Sequence, residues 1–124
     1  MRIVETKDAP AAVGPYSQAV VENGLVYTSG QIPLDPESGR IEGGCIEVQA
    51  DRAIRNLSAV LKASGSSLEN VIKTTCYLTD LSEFSAFNEI YGSFFPNRPA
   101  RSCVQVSALP KGAKVEIEAV ATLL

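Results

Sequence analysis

The sequence predicts an α+β fold, a single domain over residues 1–124 with two helices packed on one face of a six-stranded sheet. Three observations carry this. Two segments place apolar residues at helical spacing. Short β-rich runs separated by Gly and Pro turns occupy much of the rest. Each helix carries one apolar stripe, and burying both stripes on the same sheet face is the economical solution.

The elements follow in order. Ser17–Val21 and Leu25–Ser29 flank Glu22-Asn23-Gly24, and an Asn-Gly step between apolar runs reads as a hairpin. Pro33, Pro36, Gly39, Gly43 and Gly44 make Ile32–Gly44 a surface loop. Glu47–Ser64 is the clearest helix: Ala50, Ala53, Ile54, Leu57, Val60 and Leu61 form its stripe, and Gly65 stops it. Ile72–Leu78 is β-rich. Ser82–Phe95 predicts a second helix with Phe84, Phe87, Tyr91, Phe94 and Phe95 on its stripe, ended by Pro96 and Pro99. Arg101–Ala108 reads as a strand, Pro110-Lys111-Gly112 as a turn and Lys114–Leu124 as a last strand. There Val115, Ile117, Ala119, Ala121 and Leu123 take one face, and Glu116, Glu118, Val120 and Thr122 the other. That second face is too polar for a monomer core, which predicts an oligomer interface holding a polar site.

Composition narrows the chemistry. The net charge is −3 and the Lys and Arg residues are dispersed, which disfavours nucleic acid as the main partner. No segment approaches the ~20 apolar residues of a membrane span, and Met1–Asp8 has no signal-peptide core. With three scattered cysteines, neither a disulfide framework nor a zinc signature is expected, so the cytoplasm is the simplest compartment. Histidine is absent, which removes Ser-His-Asp and Cys-His triads and HExxH sites.

The remaining candidates each admit two readings. Arg101 shares a face with Cys103 and Gln105; it suits a carboxylate anchor or a surface ion pair. Glu116, mid-strand among apolar residues, suits a base made stronger by burial or a solvent-facing residue, and Glu118 is equally eligible. Asn88 interrupts an aromatic stripe, so its amide points at a ligand or bonds at the helix–sheet seam. Cys103 fits a small buried residue better than a nucleophile, because nothing here could serve as its histidine base. Tyr16 is a core aromatic or a pocket wall. Thr28-Ser29-Gly30-Gln31 is a turn or a close backbone approach to a ligand.

Together, five groups of segments resemble the RidA (YjgF) family of imine/enamine deaminases nearly from end to end. They are Ala9–Gln18, Ser29–Pro33, Asn88–Tyr91, Pro99–Val104, and Leu109–Lys111 with Val115–Ala119. The resemblance implies a chorismate-mutase-like α+β fold with a mixed sheet, and a homotrimer with ligand sites in clefts between subunits. It implies hydrolysis of 2-aminoacrylate, 2-iminopropanoate or 2-iminobutanoate to 2-oxo acids and ammonia, with no metal or organic cofactor. On matching positions, Arg101 would hold the substrate carboxylate and Glu116 would position water. Tyr16 and Asn88 would line the pocket, and Ser29, Gly30 and Cys103 would border it. The Phe95–Pro99 connector is slightly shorter than in many members, which bears on substrate size. The alternatives are a small-molecule-binding regulatory module on the same scaffold, and an RNA-cleaving translation inhibitor.

Overall fold

A computed structural model describes residues 1–124. Eight principal elements follow one another: β1 (Arg2–Val4), β2 (Ala19–Glu22), β3 (Leu25–Thr28), α1 (Ile46–Ser64), β4 (Val71–Leu78), α2 (Phe84–Phe94), β5 (Ala100–Gln105) and β6 (Val115–Thr122). The strands form one six-stranded sheet in the order β1-β2-β3-β6-β4-β5. Only β4 and β5 are parallel, joined by the crossover through α2; the other pairs are antiparallel. No helix is long and apolar enough to cross a membrane.

Local chemistry explains the elements. Asn23 and Gly24 both take positive φ, 51° and 77°, as a two-residue hairpin turn between β2 and β3 requires. Gly65 closes α1 in the left-handed region, its N–H reaching the carbonyls of Leu61 and Lys62. The start of α2 differs from the sequence expectation. Its first turn, Leu81–Glu83, is a 3-10 turn capped by Asp80, whose carboxylate accepts from Ser82 N–H. Two strand ends are also shorter than expected. β5 stops at Gln105, whose side chain turns away to accept from Leu81 N–H. β6 stops at Thr122, so Leu123 lies outside the inward row and is 36% exposed. β1 lies in a segment where no strand was anticipated, and it completes the six.

Both helices cover the same sheet face. Ala50, Ile54, Leu57 and Leu61 of α1 and Phe87 and Tyr91 of α2 bury against Cys76, Leu78, Val115, Ile117 and Ala121. The opposite face has no layer over it. Strand register places Ile3, Val20, Tyr27 and Val120 in one row across that face, and Glu116, Tyr77 and Val104 in another. Several of its apolar residues are open: Ile3 is 58% exposed, and Tyr27 and Val104 are each 44%.

Candidate active site

Strand parity sorts the candidate residues into two clusters. Arg101 pairs in register with Thr74, and Cys103 with Cys76, both buried under the helices. The first cluster therefore lies on the helix-covered face at the β5 edge. Glu116 pairs with Tyr77 on the uncovered face, in the company of Tyr16 and Gly30, with Ser29 preceding Gly30 in the chain. Within one chain, Arg101 and Glu116 are on opposite sides of the sheet and do not meet.

In the first cluster α2 orders Arg101. Phe84, Asn88 and Tyr91 lie one helical turn apart and face β5. The guanidinium sits over the Tyr91 ring at 4.7 Å and the Phe84 ring at 5.4 Å. Its Nη1 donates to Asn88 Oδ1 at 2.8 Å. Tyr91 is itself fixed by a 2.7 Å hydrogen bond with Thr74. Asn88 therefore bonds the Arg101 side chain, neither backbone nor core. No carboxylate lies within ion-pair range of Arg101, unlike Arg52, Arg55 and Lys114. A half-buried, oriented cation with no anionic partner is suited to take a carboxylate from outside. Cys103 lies on the same side of the strand. A hydrogen bond from Cys76, aided by the Arg101 charge, lowers the Cys103 thiol pKa against the effect of burial; Cys76, wholly buried, is pushed up.

In the second cluster a cavity of about 150 Å³ is bordered by Tyr16, Gln18, Gly30, Gln31, Lys111 and Glu116. Gly30 makes this arrangement possible. A Cβ at that position would stand 2.7 Å from Glu116 Cδ and 2.9 Å from Oε2. Burial first, and then the neighbouring Glu118 charge, raise the Glu116 carboxyl above its ordinary pKa, which makes the carboxylate a better proton acceptor. The Ser29 hydroxyl donates to the Ser17 carbonyl at 2.6 Å, so it anchors the turn.

Two residues that position this cluster escaped sequence reasoning. Gln18 is buried and ties down the N-terminal segment: its Oε1 accepts from Thr6 N–H at 2.7 Å and its Nε2 donates to Thr6, Ala9 and Pro10 carbonyls. Gln31 makes reciprocal backbone bonds with Ile117, at 2.8 and 3.0 Å, and these dock the Gly30 turn beside Glu116. Both lie inside segments already noted for other residues.

By fold, the chain falls in the class of RidA-like α+β proteins, with two helices on one face of a six-stranded mixed sheet. The family model described as Endoribonuclease L-PSP matches residues 6–123, and the chain belongs to that family, the RidA/YjgF family. It is 52% identical over 122 residues to a Lactococcus lactis protein, AldR, whose name proposes a regulator; the match covers 98% of this chain and 97% of that one. It is 49% identical over 121 residues to a human protein named 2-iminobutanoate/2-iminopropanoate deaminase, covering 97% and 88% of the two chains. The crystal structure of Escherichia coli TdcF with bound serine superposes with a TM-score of 0.94 at 44% identity, covering 100% of both chains.

Proposed function

We propose that this protein is a hydrolytic deaminase of 2-imino and enamino acids such as 2-aminoacrylate, 2-iminopropanoate and 2-iminobutanoate, acting in sites shared between copies of a homotrimer. The observation that carries the reading is the Arg101 guanidinium, held by Asn88 and two rings and left without a carboxylate partner. The substrate carboxylate takes that place. An enamine first takes a proton on carbon, giving the protonated imine. Glu116 then accepts a proton from water as the oxygen bonds to the imine carbon, giving a carbinolamine. Glu116 passes that proton to nitrogen, the C–N bond breaks as the hydroxyl gives its own proton back to Glu116 and closes to the carbonyl, and ammonia leaves a 2-oxo acid. The imine carbon is already electrophilic, so one orienting base suffices in a chain without histidine. The placement of Arg101 and Glu116 on opposite faces supports a site built from two copies. The uncovered apolar face supports assembly. The human relative's name, and the serine bound to the bacterial one, agree with a small carboxylate-bearing ligand.

A regulatory binding module would need the anchor and have no use for Glu116; the AldR name favours keeping that reading in the test. The Endoribonuclease description of the family gains no support from a net charge of −3 with dispersed cations. The deciding assay couples a serine or threonine dehydratase, as the imine source, to this protein and times imine decay. Arg101→Ala should stay folded and lose about 2–5 kcal/mol of transition-state stabilisation, some 30-fold to several thousand-fold in kcat/KM. Arg101→Lys should recover only part, since a point charge cannot replace the bidentate fork. Imine clearance by Arg101→Ala at the parental rate would exclude the anchor mechanism, whereas a parent protein that binds a 2-oxo acid and clears no imine would make the binding module the better reading.

A further inference from the structure

β6 presents Glu116 and Glu118 two residues apart on the uncovered face, and the fold treats them differently. Glu116 is paired in register with Tyr77, and Glu118 with Thr75. The Tyr77 hydroxyl nevertheless bypasses its direct partner and donates diagonally to Glu118 Oε1 at 2.8 Å. Glu116 turns the other way, against the backbone of Gly30, into the cavity shared with Tyr16 and Lys111. One carboxylate of the pair is thus pinned, and the other has no hydrogen bond within the chain.

Resting on the deaminase reading above, we propose that Tyr77 and Glu118 are positioning residues for Glu116. Tyr77 holds the Glu118 carboxylate in place, and that fixed negative charge keeps Glu116 as the one acid free to take a proton from water. Within one chain no cation pairs with either carboxylate. Lys111 borders the cavity, but its Nζ is on the Gly39 carbonyl at 3.3 Å. Lys73 on β4 has its Nζ on the Thr74 carbonyl at 3.1 Å, and Lys114, just before β6, lies 3.6 Å from Glu83. The helices contribute nothing, because they cover the other face. Glu118 is the one charge that acts, after burial, to raise the Glu116 pKa, and the hydrogen bond to Glu118 is the first cause raising that of Tyr77.

The test uses Glu118→Gln, which keeps an acceptor for Tyr77 and removes only the charge. Two readouts are taken on the intact protein: the acid limb of the kcat/KM–pH profile for imine hydrolysis, and the titration midpoint of the Glu116 carboxyl carbon followed by 13C NMR. Both should move to lower pH, with Glu116 a weaker base. Tyr77→Phe should move them the same way by less, because an unpinned Glu118 carboxylate is free to swing away from Glu116. Adding Tyr77→Phe to Glu118→Gln should move them no further, since the phenol acts through the carboxylate. A folded Glu118→Gln protein with an unmoved NMR midpoint overturns the proposal; if that variant fails to fold, an unmoved midpoint in Tyr77→Phe does so. A parent protein that clears no imine defeats the deaminase reading instead, and the NMR midpoint still reports on the pair.

Discussion

At the scale of single residues, Gly30 and Glu116 are the most constrained pair. A methyl group at Gly30 meets only the end of the Glu116 side chain, which can rotate away, so Gly30→Ala should fold normally while displacing the carboxylate. A misplacement of about 1 Å at a reacting group costs on the order of 100-fold, and kcat in the coupled assay should fall by about that much with thermal stability unchanged. Glu116 should also leave a mark on stability. Its pKa in the fold is raised above the ordinary 4.5, so the folded state holds its proton more tightly than the unfolded chain does. The cost to folding is absent below the unfolded value, appears as pH rises through the folded one and is complete above it. Glu116→Gln should therefore melt higher than the parent near neutrality, and calorimetry should find the difference gone in acid below the ordinary glutamate range. Periodicity reached Glu116 but could not separate it from Glu118, because it assigns both to one face; only the family resemblance singled out Glu116. The distinction comes from contacts across the sheet, with Gly30 on one side and Tyr77 on the other, and no single-strand pattern encodes them.

At the scale of elements, legibility followed how local the determining forces are. The Asn23-Gly24 hairpin and the Gly65 stop are set by backbone conformations that few residues adopt, so they stand out in the sequence. α1 was evident from its stripe, and Ala50, Ala53, Ile54, Leu57, Val60 and Leu61 of that stripe are all wholly buried. Leu57 is wholly buried, and Leu57→Ala should cost roughly 2–5 kcal/mol, measurable as a lower denaturant midpoint. β1 was illegible for the opposite reason. Three residues with a single buried side chain, Val4, carry no period, and pairing with β2 alone makes them a strand. The 3-10 entry to α2 was likewise hidden, because the Asp80 cap is a side-chain bond rather than a pattern.

At the scale of the whole molecule, the sheet separates the two residues that the proposed chemistry needs together. Arg101 sits under the helices at one edge and Glu116 on the bare face, so no motion of one chain short of unfolding unites them. Sequence alone listed both residues on strands but gave no relative parity between strands far apart in the chain, so this division was invisible until the register was known. Arg101→Ala and Glu116→Gln proteins, each inactive alone, should regain activity when unfolded and refolded as a mixture. In a cyclic trimer with random mixing, roughly a quarter of the sites would join an intact anchor to an intact base. No recovery, with mixed trimers demonstrated by mass spectrometry, would mean that the site does not join Arg101 of one copy to Glu116 of another. Carried into a cell with two gene copies, the division has a genetic meaning. Two defective alleles would complement when one has lost the anchor and the other the base, and would fail to complement when both have lost the same half.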